Sequence, residues 1–217
     1  MKYDNIVKAK FIDRPNRFIA NIELDGKIIK AHVKNTGCCK ELLISGCDIW
    51  VQLHKNENRK TPCSLITVSK NGQLFNIDSQ IPNKVYEEYI SARNIPYKRE
   101  VTCNTSRFDF KEGYGYTEVK GVTLDINGLA LFPDAPTLRG VKHITELTEL
   151  EISGVHCKII FILAYKGAKS FTANKEKDPE FAAALKKAFE SGVEIRAYEC
   201  EVTHDSIEIC GEIPVYY

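Results

Sequence analysis

Asp109 stands between two phenylalanines in Ser106-Arg107-Phe108-Asp109-Phe110, and Glu118-Val119-Lys120 follows nine residues later. If both segments are strands, alternation sends the two phenylalanines to one face and Asp109 to the other, and puts Glu118 and Lys120 on a shared face. Gly113 and Gly115 suit the turn of a hairpin that gathers Asp109, Glu118 and Lys120 on one sheet surface. Carboxylates that close repel each other unless something positive lies between them. A hard cation such as Mg²⁺ or Mn²⁺ takes oxygen ligands of this kind and keeps waters for nucleophilic work. Such a metal polarises a phosphoryl oxygen and acidifies its bound water. Lys120 can orient that water or offset charge in the transition state. Glu88, on a helix expected before the sheet, offers a further carboxylate. The expected catalytic set is Asp109, Glu118 and Lys120, and the expected metal set is Glu88, Asp109 and Glu118. On its own, Glu-x-Lys also describes a solvated charge pair on an exposed strand.

The elements that must position these residues change character near residues 78–84. Before that point the chain reads as short strands: 17–24, 27–33, 49–53, 64–68 and 73–77, with Asp25-Gly26 and Asn71-Gly72 as hairpin turns. One helical turn is expected near Cys39–Leu43. About five strands in 80 residues suit a small closed barrel, for which the OB-fold is the natural candidate. Beyond Pro82, Asn83 is read as the cap of a helix running to Arg93, followed by strands at 98–103, 107–111 and 116–124. A helix over 137–152, an apolar strand over 158–164 and a helix opening at Asp178-Pro179 come next, with strands at 193–201 and 206–210. Helices interleaved with strands imply a mixed α/β layer structure. The expected division is a barrel over 1–80 and an α/β domain over 81–217.

With 43% hydrophobic and 27% charged residues the chain is globular in composition. No apolar run approaches the ~20 residues of a membrane span, and the first residues lack the apolar core of a signal peptide, so a cytoplasmic location is expected. The eight cysteines show no Cys-x-x-Cys pair, so reduced, packed thiols are expected rather than a zinc site or a disulfide scaffold. The net charge of +1 conceals an asymmetry: residues 1–80 carry 13 Lys/Arg against 8 Asp/Glu, and the remainder carries 17 against 21. A basic barrel suits phosphate, and an acidic partner domain suits a metal.

The Asp–spacer–Glu-x-Lys arrangement resembles the PD-(D/E)xK nuclease superfamily. The flanking words carry a more specific likeness. Tyr116-Thr117-Glu118-Val119-Lys120-Gly121-Val122-Thr123-Leu124 is followed by Phe132-Pro133-Asp134-Ala135-Pro136-Thr137-Leu138-Arg139-Gly140-Val141-Lys142-His143. With Arg17-Phe18-Ile19-Ala20, Asn35-Thr36-Gly37, Arg59-Lys60, Pro82-Asn83 and Glu88, and with Gly192-Val193-Glu194 and Ala197-Tyr198, the chain resembles the sugar fermentation stimulation protein A family over nearly its whole length. The resemblance implies an OB-like barrel followed by a PD-(D/E)xK nuclease-like domain, non-specific DNA binding, and a link to sugar metabolism, notably of maltose. It places the nuclease-like positions at Glu88, Asp109, Glu118 and Lys120, with Arg139, Lys142 and His143 on the helix beside them. One departure is His32-Val33-Lys34-Asn35-Thr36-Gly37, where the family has His-Cys-Pro-Asn-Thr-Gly, and cysteine replaces its following methionine.

For DNA contact the expected residues are Arg14, Arg17, Lys55, Arg59 and Lys60 on the barrel, with Phe18 or Trp50 as a stacking surface, and Arg139, Lys142 and His143 on the later helix. A lone tryptophan in Asp-Ile-Trp-Val is also ordinary core. Three functional classes are compatible with these residues: a metal-dependent nuclease, a non-catalytic DNA-binding regulator of sugar metabolism, and an interaction module whose acidic cluster only supports the fold.

Overall fold

The computed structural model describes every residue except Thr36, Cys38, Glu57 and Asn58. The chain starts with β1 (Ile6–Asn16), in which Ala9 and Phe11 point inward between outward Lys8 and Lys10. Next come β2 (Ile19–Leu24), β3 (Lys27–Val33), β4 (Asp48–Leu53), β5 (Cys63–Lys70) and β6 (Gln73–Asn76). β1 pairs antiparallel with β2 and with β4, β2 with β3, and β4 with β5. Parallel pairing of β3 with β5 through Ala31–Cys63 and Val33–Leu65 then closes the ring. The result is an N-terminal OB domain built as a five-strand closed barrel, which leaves the ring itself without an edge.

The turns behave as the sequence says. Asp25-Gly26 and Asn71-Gly72 both take positive φ at both residues, as tight hairpins require. The strand set needs one correction. The sequence pattern makes 73–77 the fifth barrel strand and gives no strand for β1. In the structure β1 is in the ring, and β6 lies outside it, paired only with β5. The segment near Cys39–Leu43 is a turn, held by the Leu42 and Leu43 amides donating to the Cys39 carbonyl.

The second half opens with α1 (Ile81–Ser91), with Pro82 in its first turn. Asn83 is not its cap: Gln80 holds that place without a side-chain bond, and the Asn83 amide is used elsewhere. β7 (Tyr97–Cys103), β8 (Ser106–Glu112) and β9 (Gly115–Val122) form an antiparallel meander. Two short strands follow, β10 (Leu124–Ile126) and β11 (Leu129–Phe132). α2 (Leu138–Ile152) is capped by the Thr137 hydroxyl, which accepts from the Gly140 amide at 3.1 Å. After β12 (Cys157–Leu163) and β13 (Ser170–Ala173) comes α3 (Pro179–Glu190), capped by Asp178 accepting from the Phe181 amide at 2.9 Å. β14 (Glu194–Val202), β15 (Ile207–Ile213) and β16 (Val215–Tyr216) complete the chain.

The main sheet has the order β15-β14-β12-β9-β8-β7, with β9, β12 and β14 parallel. Buried on both faces, β12 alternates between two cores: Ile159, Phe161 and Leu163 join one, Ile160 and Ile162 the other. α1 covers the second face. α2 and α3 cover the first, whose apolar core runs on into the barrel through Val33, Leu65 and Phe75. No described helix is long and apolar enough to cross a membrane. The seven described cysteines are free thiols.

Where barrel and α/β domain meet, Lys34 Nζ lies 2.7 Å from Asp78 Oδ2, the lysine 20% and the aspartate 1% exposed in their side chains. Removing one partner of a buried pair strands the other charge, typically at about 3–5 kcal/mol. Lys34→Met is therefore expected to lower the melting temperature by roughly 10 °C, at about 2–4 °C per kcal/mol for a chain of this size. Thermal unfolding checks it, and a melting point unchanged in Lys34→Met would show the pair to be dispensable.

Candidate active site

Regular alternation fails at Asp109. Phe108 packs against Tyr116 and His143 on the α2 face, with ring centroids 5.5 and 5.8 Å away. Phe110 packs against Tyr86 and Tyr97 on the α1 face. The two phenylalanines thus lie on opposite faces, contrary to the strict alternation expected, and the break falls on Asp109. On β7, Glu100 lies between the pairs Arg99–Phe110 and Val101–Phe108 and takes φ 51°. The β8–β9 ladder reaches Phe110–Thr117 and stops. Past that point Asp109 Oδ2 accepts from the Val119 amide at 2.8 Å, replacing the strand partner that the amide would otherwise lack. Its Oδ1 accepts from Asn83 Nδ2 at 2.6 Å. Strand divergence therefore brings the Asp109 carboxylate between β9 and the first turn of α1.

β9 alternates normally. Val119 enters the α1-face core, and Glu118 and Lys120 turn to the α2 face. Glu118 is buried, and its Oε1 takes two donors, Lys120 Nζ at 2.5 Å and His143 Nδ1 at 2.6 Å. An ionised carboxylate only accepts, so Nδ1 carries the proton in that bond. Oε2 of Glu118 is buried and, among the described residues, accepts from no donor. An unpaired carboxylate oxygen away from water is costly unless something positive reaches it.

The two carboxyls are driven apart. Burial, and then the neighbouring Glu118 carboxylate, push Asp109 above the usual carboxylate range, against the Val119 and Asn83 donors and the Lys120 charge. Burial also works to raise Glu118, but the His143 hydrogen bond and the Lys120 charge outweigh it and hold Glu118 low. Carboxyl pairs separated in this way are a mark of sites that handle protons or cations.

Among the described residues, no group of three or more His, Cys, Asp and Glu side chains converges as a metal cluster. The two carboxylates nevertheless suit a hard, hydrated cation, which needs one or two protein carboxylates and fills its other positions with water or phosphate oxygens. The unpartnered Glu118 Oε2 is the observation that fits such an ion.

The structure brings together Asp109, Glu118, Lys120 and His143 from the expected set. Glu88 is elsewhere: its Oε2 binds the Met1 ammonium at 2.6 Å. Asn83, read from sequence as a helix cap and as part of the Pro82-Asn83 family word, is the α1 residue that reaches the acidic group. His143 is 5% exposed and engaged with Glu118, which turns it towards the site rather than towards solvent. Arg139 and Lys142 are exposed on the same helix and line a cavity of about 360 Å³ with Arg107, which sequence reasoning overlooked. On the barrel, Arg14 donates to the backbone carbonyls of Gly37, Arg17 and Asn35, so it clamps the loop after β3. Arg17, Lys55, Arg59 and Lys60 are exposed, and Phe18 is 51% exposed. Trp50 is half-buried beside His204, with ring centroids 6.3 Å apart, so it sits against the α/β domain.

Comparison with known proteins matches both halves. The family model "Sugar fermentation stimulation protein RE domain" fits residues 80–206, and "SfsA N-terminal OB domain" fits residues 12–77. A protein described as "Sugar fermentation stimulation protein homolog" from Clostridium tetani is 47% identical over 223 residues, covering 97% of each chain. One of the same description from Desulfitobacterium hafniense strain Y51 is 48% identical over 216 residues, covering 96% of this chain and 95% of its own. Among solved structures, "The structure of Pyrococcus Furiosus SfsA in complex with Ca2+" superposes with a TM-score of 0.89 at 30% identity, covering 100% of this chain and 98% of that one.

Proposed function

The chain belongs to the sugar fermentation stimulation protein family, and from that membership and the Asp109–Glu118–Lys120 site we propose a DNA-binding protein that hydrolyses phosphodiester bonds. It binds largely without regard to sequence and uses Mg²⁺ or Mn²⁺ held by Asp109 and Glu118. The buried, unpartnered Glu118 Oε2 carries the reading. The Pyrococcus furiosus relative, whose structure is a complex with Ca²⁺, supports divalent-cation binding in the family.

A bound divalent cation supplies Lewis acidity and an acidified water. This chain's own groups do the rest. Val119 N–H and Asn83 hold Asp109 in place, and His143 holds Glu118 through Oε1, which leaves Oε2 free to bind a cation that the two carboxylates would hold. Lys120 offsets negative charge that develops on phosphate oxygens. Exposed Arg139 and Lys142 on α2, and Arg17, Lys55, Arg59 and Lys60 on the barrel, hold the backbone by charge alone, a contact that carries no sequence information.

The deciding experiment incubates purified protein with single- and double-stranded DNA, with and without Mg²⁺ or Mn²⁺. Cleavage only with metal supports the reading, and a protein inert towards every DNA form in both metals refutes it. One observation favours the second reading, a DNA-binding regulator of sugar metabolism, maltose included, that cuts nothing: both oxygens of Asp109 are already satisfied by protein donors. In either case Arg59→Ala/Lys60→Ala is expected to weaken DNA binding similarly across sequences. Each lost phosphate contact should lower the log–log salt slope by about one unit. Titrations at several salt concentrations measure it, and an unchanged slope would place the DNA surface elsewhere.

A further inference from the structure

A cavity of about 200 Å³ lies outside the carboxyl ends of parallel strands β9 and β12, where Thr123 and Ala164 line it, and against Asn35 after β3 and Asn76 at the end of β6. Crevices at that end of parallel strands are where α/β sheets take their ligands. The cavity adjoins the acidic group. Pro82 and Gly121 form part of its wall, and their chain neighbours Asn83 and Lys120 bind Asp109 and Glu118. Gly121 allows this approach, since a Cβ there would meet Pro82 Cγ at 2.7 Å.

The lining suits an uncharged ligand that has both an apolar surface and polar edges. Its described residues include no lysine or arginine, and of the two carboxylates among them Asp78 is already matched by Lys34, leaving Asp134 as an exposed acceptor. A phosphate there would face carboxylates and be repelled. Leu131 and Phe132 supply apolar surface, and Thr123 and Asp134 supply edge contacts for N–H groups. Cations stand outside. Arg59 is near enough to His32 and His54 that, after burial, its charge is the next cause holding both imidazoles low; His32 also feels Asp78. A second, open groove on the barrel, with Arg17 and Lys40 among its lining, shares Gly37 with the cavity.

Building on the reading of the acidic site as one that acts on polynucleotides, we propose that this cavity receives an unpaired nucleobase, with the phosphates outside on Arg17, Lys40 and Arg59, so that the strand presented to Asp109 and Glu118 is single. Pockets for drug-sized ligands hold about 300–1,000 Å³, so a smaller one takes a single base rather than a base pair. A base reaches such a pocket only from a single strand or after leaving its duplex. Aromatic surface beside a basic track is the usual device for holding a single strand.

Binding of the full-length protein, in EDTA, to a fluorescein-labelled 15-nucleotide strand and to the duplex of the same sequence tests this without metal or cleavage. The single strand should bind at least tenfold more tightly than the duplex. Ser79→Trp, which fills the cavity from an exposed wall position, should abolish that preference, and Ser79→Ala should keep it. Asp134→Leu, at another exposed position, should weaken single-strand binding several-fold and leave duplex binding alone. Equal affinity for strand and duplex, or a preference that survives both Ser79→Trp and Asp134→Leu, overturns the proposal. So does displacement of the strand by micromolar free deoxynucleoside, which would make the cavity a small-molecule site. Because nothing is cut in EDTA, these outcomes are independent of whether the protein is a nuclease.

Discussion

On the proposed nuclease reading, Lys120→Ala is expected to lower metal-dependent DNA cleavage by about 10²-fold or more, the scale on which groups that stabilise transition-state charge act. DNA affinity should change little, because one partly buried lysine is a small share of the phosphate-binding charge. Metal binding should persist, since the proposed ligands Asp109 and Glu118 both remain. In the resting protein the ammonium sits on Glu118 Oε1 at 2.5 Å, where His143 also donates, so the glutamate keeps one partner in the variant. Cleavage rates under single-turnover conditions, beside Mn²⁺ calorimetry, read the two effects separately. If parent and variant cut equally fast, Lys120 is only a counter-charge for Glu118. If the variant also loses the metal, its role lies in shaping the carboxylates rather than in the chemical step.

Gly115→Ala is expected to cost more than about 4 kcal/mol, among the largest effects of a single substitution. A Cβ at Gly115 would stand 1.9 Å from the His156 carbonyl oxygen and 3.0 Å from its carbon. The obstacle is backbone, so no side-chain rotation relieves it. Only separation of β9 from β12 can, and that parallel pair runs from Tyr116–Cys157 to Val122–Leu163 through the middle of the main sheet. Because Glu118 and Lys120 lie on β9, the site should loosen along with the sheet. Gly113→Ala supplies the contrast. Gly113 has φ 59° but open space around it, so only the left-handed backbone is penalised, at roughly 1 kcal/mol. Thermal unfolding compares the two, and a Gly115→Ala protein melting within a degree or two of the parent would refute the close approach.

What the residue order determined by itself is local. Asp25-Gly26 and Asn71-Gly72 dictate hairpins because few other residues accept their backbone angles. Thr137 and Asp178 start helices through bonds to amides three residues on. Glu118 and Lys120 share a face because a strand has period two. The four strands β10, β11, β13 and β16 are at most four residues long, too short for any alternation to show. β1 does alternate, but it blends with the polar residues around it. Tertiary packing decided the rest. The barrel closes through β3 and β5, some thirty residues apart, and no local pattern encodes that parallel pair. Glu88 looked like a ligand and went to the Met1 ammonium, 87 residues away, because α1 turns that side towards the N-terminal segment. Asn83 looked like a cap and holds Asp109, 26 residues on, and His143 holds Glu118 across 25. A buried carboxylate takes whichever donors packing brings within reach, so its partners follow from the assembled sheet and helices rather than from spacing along the chain.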